Sequence, residues 1–166
     1  IKLTETELTS ILSDCTPDVV LVDAKHFAVV DNVRKKVTSI KKVYCVDPDG
    51  DDAHPSIKDL NPKEMTAGRE RALDEVAVIV YTSGTTGNAK GVMTTFGNLI
   101  FQVKSFERDI VALSADDRFL SVLPLNHLLE LTGGFLGLLT VGGAICFNQS
   151  LFPQEIIKAC LLYTSD

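Results

Sequence analysis

Residues 81–92 read Tyr81-Thr82-Ser83-Gly84-Thr85-Thr86-Gly87-Asn88-Ala89-Lys90-Gly91-Val92 and follow directly on an apolar, mostly β-branched run at residues 76–80. The stretch places four serine and threonine side chains and three glycines around a single lysine. Glycine lets the backbone turn its N–H groups inward, where a Cβ would obstruct them. Such N–H groups, together with hydroxyl donors and an ammonium group, form a concave site for a polyphosphate. The stretch therefore predicts a loop that holds a triphosphate such as that of ATP.

The order of these residues differs from that of a Walker A loop, in which the second glycine touches the lysine and a helix begins at once. Here two residues separate Gly87 from Lys90, and residues 92–94 predict a second strand. We therefore expect an exposed loop, containing Lys90, between two extended segments, with no helix dipole directed at the phosphates. A surface turn rich in glycine and threonine is the alternative.

The motif Y-T-S-G-T-T-G-x-x-K-G-V resembles the phosphate loop of the acyl-adenylate-forming (AMP-binding) enzymes, which include acyl-CoA synthetases, firefly luciferase and peptide-synthetase adenylation domains. A second stretch, Leu123-Pro124-Leu125-Asn126-His127-Leu128-Leu129-Glu130, is similar to the L-P-L-x-H-x-x-E element of fatty acyl-CoA synthetases. Residues 95–99 resemble the family's T-H-x-N-L, with Phe96 in place of histidine, and Thr95 or Asn98 can still cap a helix there. The resemblance is strong over residues 76–147 and loose before them.

The resemblance implies that the loop grips ATP through hydroxyls and backbone N–H groups. The residues expected at the triphosphate are Thr82, Ser83, Gly84, Thr85, Thr86 and Gly87. Lys90 is expected to be catalytic, because its charge would stabilise the departing pyrophosphate. A bound triphosphate usually carries Mg²⁺, and Thr86 is the hydroxyl that we expect near this ion. The glutamate that completes the metal site in the family has no counterpart in this chain.

The second element implies a role for His127 beside the reacting carboxylate or the acyl chain, which makes it the other expected catalytic residue. A histidine at a helix N-terminus, satisfied by local hydrogen bonds, is the alternative. Glu130 is expected to orient His127 or to cap the helix. Gly133, Gly134 and Gly137 recur on one side of that helix, where they either leave room for an acyl tunnel or allow close packing.

The pattern of elements predicts an α/β fold, with alternating βα units in a mainly parallel sheet flanked by helices. Residues 4–7 form a capping box, and Thr16-Pro17 ends the helix that follows it. We expect a fully buried strand at 19–22, a helix at 27–37 with Val30, Val33 and Val37 inside, and a strand at 43–46. A polar connector at 47–75 precedes the phosphate loop.

Beyond the loop we expect a helix with an apolar stripe, a strand at 119–123, a helix at 127–139, a strand at 144–147 and a helix beginning at Pro153. The stripe consists of Leu99, Val103, Phe106, Ile110 and Leu113. The last residues, 160–166, depart from the helical pattern and resemble a translated sequencing adapter. We therefore expect the natural sequence to end near Ala159, with an ordinary helix end as the alternative.

Composition narrows the class of protein. A net charge of −6 and a pI near 5.0 argue against nucleic acid as a partner. The cysteines are scattered, which favours reduced and mostly buried thiols in a cytoplasmic protein; they are Cys15, Cys45, Cys146 and Cys160. No signal-peptide pattern is visible. Residues 131–154 carry no charge, but their glycines favour a buried helix and strand over a transmembrane segment, and peripheral membrane contact stays open.

The leading hypothesis is that residues 1–166 are an incomplete N-terminal domain of an ATP-dependent fatty acyl-CoA synthetase. Its substrates would be a fatty acid or another small carboxylate, ATP and CoA, with the CoA site mostly outside this chain. The first alternative is an adenylating enzyme with an acyl-carrier protein or an amine as acceptor, and the second is a non-catalytic nucleotide-binding module. Later motifs of the family have no match here, so we expect these residues alone to be inactive.

Overall fold

The computed structural model describes residues 3–47, 54–60, 68–83, 89–109, 112–148, 150 and 152–164. The chain divides into two compact units. The first unit contains Ile1–Glu70 and Tyr81–Val92, and the second unit contains Arg71–Val80 and Met93–Asp166.

The first unit is a βαβ arrangement preceded by a helix. Its elements are α1 (Glu5–Cys15), β1 (Val19–Val22), α2 (Ala24–Arg34), β2 (Lys42–Cys45) and a 3₁₀ turn (Ile57–Asp59). The two strands pair in parallel, with Val20 opposite Val43, as the crossover through α2 predicts. The predicted capping box is confirmed, since the Thr4 side chain accepts from the Glu7 N–H and the Glu7 side chain accepts from the Thr4 N–H.

The core of the first unit lies where α1, α2 and β2 meet. Its buried residues are Leu12, Val30, Val33, Val37, Ile40 and Val43. The predicted inner face of α2 is confirmed at Val30 and Val33, whereas Val37 is buried beyond the end of the helix at Arg34. The prediction of a fully buried β1 is wrong. Val19 is 47% and Leu21 is 56% exposed, because only the alternate residues Val20 and Val22 pack against the core.

The second unit contains a parallel pair of strands with helices. Its elements are α3 (Phe96–Asp109), β5 (Arg118–Ser121), a π-helix (Glu130–Gly137), α4 (Leu138–Val141), β6 (Ala144–Phe147) and α5 (Pro153–Thr164). In the pair, Phe119 lies opposite Ile145. Helix α5 continues through residues 160–164, so the predicted departure from helical structure after Ala159 is wrong for those residues. The natural end of the sequence stays a prediction.

A hairpin contributes residues to both units. It consists of β3 (Val76–Ser83) and β4 (Ala89–Thr95), which pair with each other. Five residues join the strands, and so short a connection requires an antiparallel pair. The α/β class and the parallel pairing are confirmed, but the strands described in the structure form three two-stranded sheets and no larger one.

Helix α3 begins immediately after β4. The Thr95 side chain accepts from the Asn98 N–H, and the Asn98 side chain accepts from the Thr95 N–H, so both predicted capping residues act together. The next two N–H groups are also satisfied: Phe96 donates to the Glu75 carbonyl at 3.0 Å, and Gly97 donates to the Leu73 carbonyl at 2.8 Å. Phe96 in place of histidine therefore leaves the start of the helix intact.

Candidate active site

The hairpin carries the predicted phosphate-binding residues. Thr82 lies near the end of β3 and Lys90 near the start of β4, and both side chains are exposed. Lys90 is thus part of a strand, where the sequence predicted a loop, because β4 begins at Ala89. Residues Gly84, Thr85, Thr86 and Gly87 and the side chain of Ser83 lie outside the described part of the structure, so their predicted contacts with ATP and Mg²⁺ stay predictions.

Tyr81, three residues before the first glycine of the loop, is tied to helix α1. Its hydroxyl donates a hydrogen bond to the carboxylate of Asp14. This hydrogen bond is the main cause that raises the pKa of Tyr81 above its ordinary value, and loss of solvent adds to it. The sequence provided no signal for Asp14, because 67 residues separate the two partners.

We expect Asp14→Asn to lower the pKa of Tyr81 towards the ordinary tyrosine value of about 10, since the amide removes the anionic acceptor. A titration of tyrosinate absorbance measures this shift, and Tyr81→Phe identifies which titration step belongs to Tyr81. An unchanged titration in Asp14→Asn would contradict the assignment.

The raised pKa of Tyr81 determines how the stability of the protein depends on pH. The contribution of the Tyr81 hydrogen bond is fully present below pH ~10 and is lost as the pH rises further and the folded tyrosine ionises. Tyr81→Phe should therefore cost about 1 kcal/mol of unfolding free energy at neutral pH and less in strongly alkaline solution. Denaturant unfolding at the two pH values tests the difference.

The second unit holds the His127 element. Residues 122–127 turn after β5, the His127 N–H donates to the Pro124 carbonyl at 2.9 Å, and helical structure begins at residue 128. The side chain of His127 is exposed and has no hydrogen bond or ion pair with any residue that the structure describes. Within the described residues only its backbone is satisfied locally, and both imidazole nitrogens are without a partner there.

Glu130 forms a hydrogen bond with Ser121, whereas the sequence predicted His127 as its partner. It is only 3% exposed, and its carboxylate accepts a hydrogen bond from the Ser121 hydroxyl at the end of β5. A contact with His127, which the sequence predicted, is not formed within the described residues. A buried carboxylate is costly without a donor. The hydrogen bond therefore fastens the first turn of the π-helix to β5.

Aromatic rings fill the space beside the π-helix glycines. A Cβ on Gly133 would lie 2.8 Å from the Phe106 ring, and one on Gly134 would lie 2.6 Å from the Phe119 ring. These distances are shorter than ordinary Cβ contacts, so an added methyl group would force the ring to shift. Of the two explanations for the recurring glycines, close packing is the one that the structure confirms at these two positions.

An apolar pocket of about 400 Å³ lies between α3 and the start of the neighbouring helical segment. Its lining residues are Phe101, Gln102, Ser105, Phe106, Leu128, Leu129 and Thr132. The sequence predicted the α3 stripe as core but missed Phe101, which lies beside that stripe. The sequence did contain a signal for Phe101, namely an aromatic residue at a helix position next to, and outside, the apolar face.

Neither a metal cluster nor a membrane-spanning helix is found in the described ranges. Among them no three His, Cys, Asp or Glu side chains come together in a way that could hold a metal ion. No helix there is long and apolar enough to cross a bilayer.

Of the cysteines only Cys45 is buried, while Cys160 is exposed, so the prediction of mostly buried thiols is wrong.

Nearly the whole sequence of the chain is matched by a known family. A sequence model of the AMP-binding enzyme family matches residues 1–162. The chain belongs to this adenylate-forming family. Among curated AMP-binding relatives, long chain acyl-CoA synthetase 8 of Arabidopsis thaliana is 26% identical over 165 residues, which are 90% of this chain and 23% of that protein. Indoleacetate–CoA ligase of Aromatoleum aromaticum is 30% identical over 163 residues, 95% of this chain and 31% of that protein.

Solved structures of AMP-binding enzymes show the same fold. A crystal structure assigned to a long-chain-fatty-acid CoA ligase of Rhodopseudomonas palustris matches with a TM-score of 0.84 and 26% identity, covering 97% of this chain and 40% of that one. ATP-bound MatB of the same organism matches with a TM-score of 0.77 and 27% identity, covering 96% of this chain and 31% of that one. The chain thus spans a quarter to two fifths of the length of these relatives and confirms the predicted partial N-terminal domain fold.

Proposed function

We propose that the protein containing this chain is an ATP-dependent fatty acyl-CoA synthetase. In the first step a carboxylate oxygen attacks the α-phosphorus of ATP, and the bond from that phosphorus to the bridging oxygen breaks. The products are acyl-AMP and pyrophosphate. In the second step the sulfur of CoA attacks the acyl carbon, the thiol loses its proton, and AMP leaves with the electrons of the broken bond between the acyl carbon and the anhydride oxygen.

The phosphate hairpin supports the first step of this proposal. The carboxylate is a poor nucleophile towards an anionic phosphate, so the enzyme must hold and neutralise the triphosphate while the two react. The exposed ammonium group of Lys90 and the exposed hydroxyl of Thr82 flank the loop on paired strands. Mg²⁺ bound to the triphosphate would supply further positive charge near Thr86. The ATP-bound structure of MatB supports ATP as the nucleotide.

The apolar pocket in the second unit is the observation that carries the fatty-acid assignment. The surface that its lining presents is mostly apolar, although three of the lining residues are polar. Leu128 and Leu129 of that lining follow His127 directly in the chain. An alkyl chain in such a pocket gains roughly 0.8 kcal/mol for each buried methylene. The exposed imidazole of His127 next to this lining is available to the carboxylate end. Two relatives, one called an acyl-CoA synthetase and the other a CoA ligase, support CoA as the acceptor.

The test is carboxylate-dependent exchange of pyrophosphate into ATP by the full-length protein, with straight-chain fatty acids, an aryl acid and malonate offered in parallel. We expect fatty acids to support the fastest exchange and addition of CoA to yield the thioester. Exchange without thioester formation would favour the acyl-carrier-protein or amine acceptor. Nucleotide binding without any exchange would favour the non-catalytic module, and the proposed function would then be wrong.

His127→Ala should reduce kcat/KM for the fatty acid by about tenfold, the equivalent of one lost hydrogen bond, and change the KM for ATP little. The reason is that His127 lies next to the apolar pocket lining, while Thr82 and Lys90 belong to the hairpin. Kinetics with ATP and fatty acid varied separately measure the two effects. A change confined to the ATP KM would place His127 on the nucleotide side.

A further inference from the structure

Phe106 has two contacts that together give it a special place in the second unit. Its side chain lines the apolar pocket. The same ring packs against Gly133 of the π-helix, where an added Cβ would lie 2.8, 2.9 and 3.1 Å from Cε2, Cζ and Cδ2 of the ring. The position of this ring therefore depends on the absence of a side chain at residue 133.

The residues that line the pocket differ in exposure. Phe101 is 69% exposed and Leu129 is 62% exposed. Phe106 is half-buried, lies more than one helical turn further along α3, and contacts the opposite helix at Gly133. The ring is thus held between the two helices that line the pocket.

We propose that Phe106, held in place by Gly133, sets the maximum length of the acyl chain that the enzyme accepts. This inference rests on the proposed function, because it takes the apolar pocket as the site of the alkyl chain. A protein interior resists the insertion of atoms where a ring already fills the space. In this proposal the alkyl chain enters beside Phe101 and Leu129 and extends until its end meets Phe106, so longer acids must leave methylenes in water.

Two substitutions should move the length limit in opposite directions. Phe106→Ala removes the ring and leaves room comparable to an engineered cavity of ~150 Å³ that accepts benzene, so longer acids should become good substrates. Gly133→Ala adds a methyl group against the ring and should push the ring into the pocket, which would shorten the preferred acid. Phe106→Leu keeps an apolar side chain for packing and should show the first effect in weaker form.

The experiment is pyrophosphate exchange by the full-length protein and these variants, with saturated acids of increasing length. The quantity compared is the ratio of kcat/KM for the first acid beyond the wild-type limit to that for an acid well within it. A single methylene in a hydrophobic pocket changes discrimination by about tenfold or more. We therefore expect Phe106→Ala to raise the ratio at least tenfold. We expect Gly133→Ala to lower the acid length at which kcat/KM begins to fall.

Phe101→Ala is the matched control, since it makes the same substitution in the same helix and pocket but at an exposed residue away from the Gly133 contact. It should reduce the use of all acids to a similar extent and leave the length limit where it was. Loss of exchange by Phe106→Ala through misfolding is covered by Phe106→Leu, which must shift the ratio in the same direction.

A length profile that stays unchanged in folded Phe106→Leu and Phe106→Ala would overturn the inference and leave the proposed function standing. A profile that shifts equally in Phe101→Ala would also overturn it, because the limit would not lie at one end of the pocket. Wild-type protein without exchange on any acid would instead remove the proposed function, and the inference with it.

Discussion

Lys90→Ala should lower carboxylate-dependent pyrophosphate exchange by about 10²–10³-fold, because loss of one preorganised electrostatic contact to charge that develops in the transition state has an effect of this size. The stability of the protein should change by no more than ~0.5 kcal/mol, since the side chain is exposed in β4. Exchange rates and denaturant unfolding of the same full-length preparations measure both quantities.

Lys104→Ala is the control for this substitution. Lys104 is an exposed lysine of α3, outside both the hairpin and the pocket lining, so its removal changes the net charge equally. We expect exchange by Lys104→Ala to stay within a factor of about two of the wild-type rate, in line with the small effect of surface substitutions. Equal rates for wild type and Lys90→Ala would remove Lys90 from the chemistry.

Gly97→Ala should destabilise the protein by about 1–3 kcal/mol. Its Cβ would lie 2.9 Å from the carbonyl oxygen of Leu73, the same oxygen that accepts the Gly97 N–H. A backbone oxygen cannot move aside as a side chain can, so either the start of α3 or the segment before β3 must shift. Chemical denaturation, followed by circular dichroism, measures the loss.

Gly68→Ala provides the comparison for Gly97→Ala. A Cβ at Gly68 would have no heavy atom of the described residues within 4 Å, so the added methyl group makes no close contact with them. We expect this variant to be as stable as the wild type or slightly more stable, because alanine has less freedom than glycine in the unfolded chain. Equal losses in both variants would show that the close approach at Leu73 is not what makes Gly97 necessary.

Features that depend on neighbouring residues in the chain could be predicted from the sequence. The Thr4–Glu7 and Thr95–Asn98 caps each join residues three apart, and the β6 bounds at Ala144–Phe147 agree with the prediction. The burial of β1 could not be predicted in the same way. A run of four apolar residues fits a strand covered on both faces or on one, and only the packing of the helices decides between them.

The same distinction between local and distant partners applies to the residues of the candidate site. The phosphate-loop motif and the His127 element could be recognised because their functional residues follow one another closely in the sequence. Asp14 and Phe106 could not, since each acts through a partner far away in the sequence, Tyr81 for one and Gly133 for the other. The buried partner of Glu130 was missed for a related reason: a carboxylate near a histidine suggests a pair, but Ser121 on β5 is the donor that burial brings to it.

The π-helix at Glu130–Gly137 bears on how this protein can vary in length over evolution. Each π-type turn closes a hydrogen bond over five residues, one more than an α-turn, so the segment holds residues that an α-helix would not need. Deleting one residue from an ordinary helix rotates everything beyond it by about 100°. Deleting one from this segment can instead convert a wide turn into an α-turn, and Leu138, only 1% exposed, can keep its place in the core. Single-residue insertions and deletions in this segment can therefore change which side chains face the pocket. The packing of the second unit beyond the segment is kept.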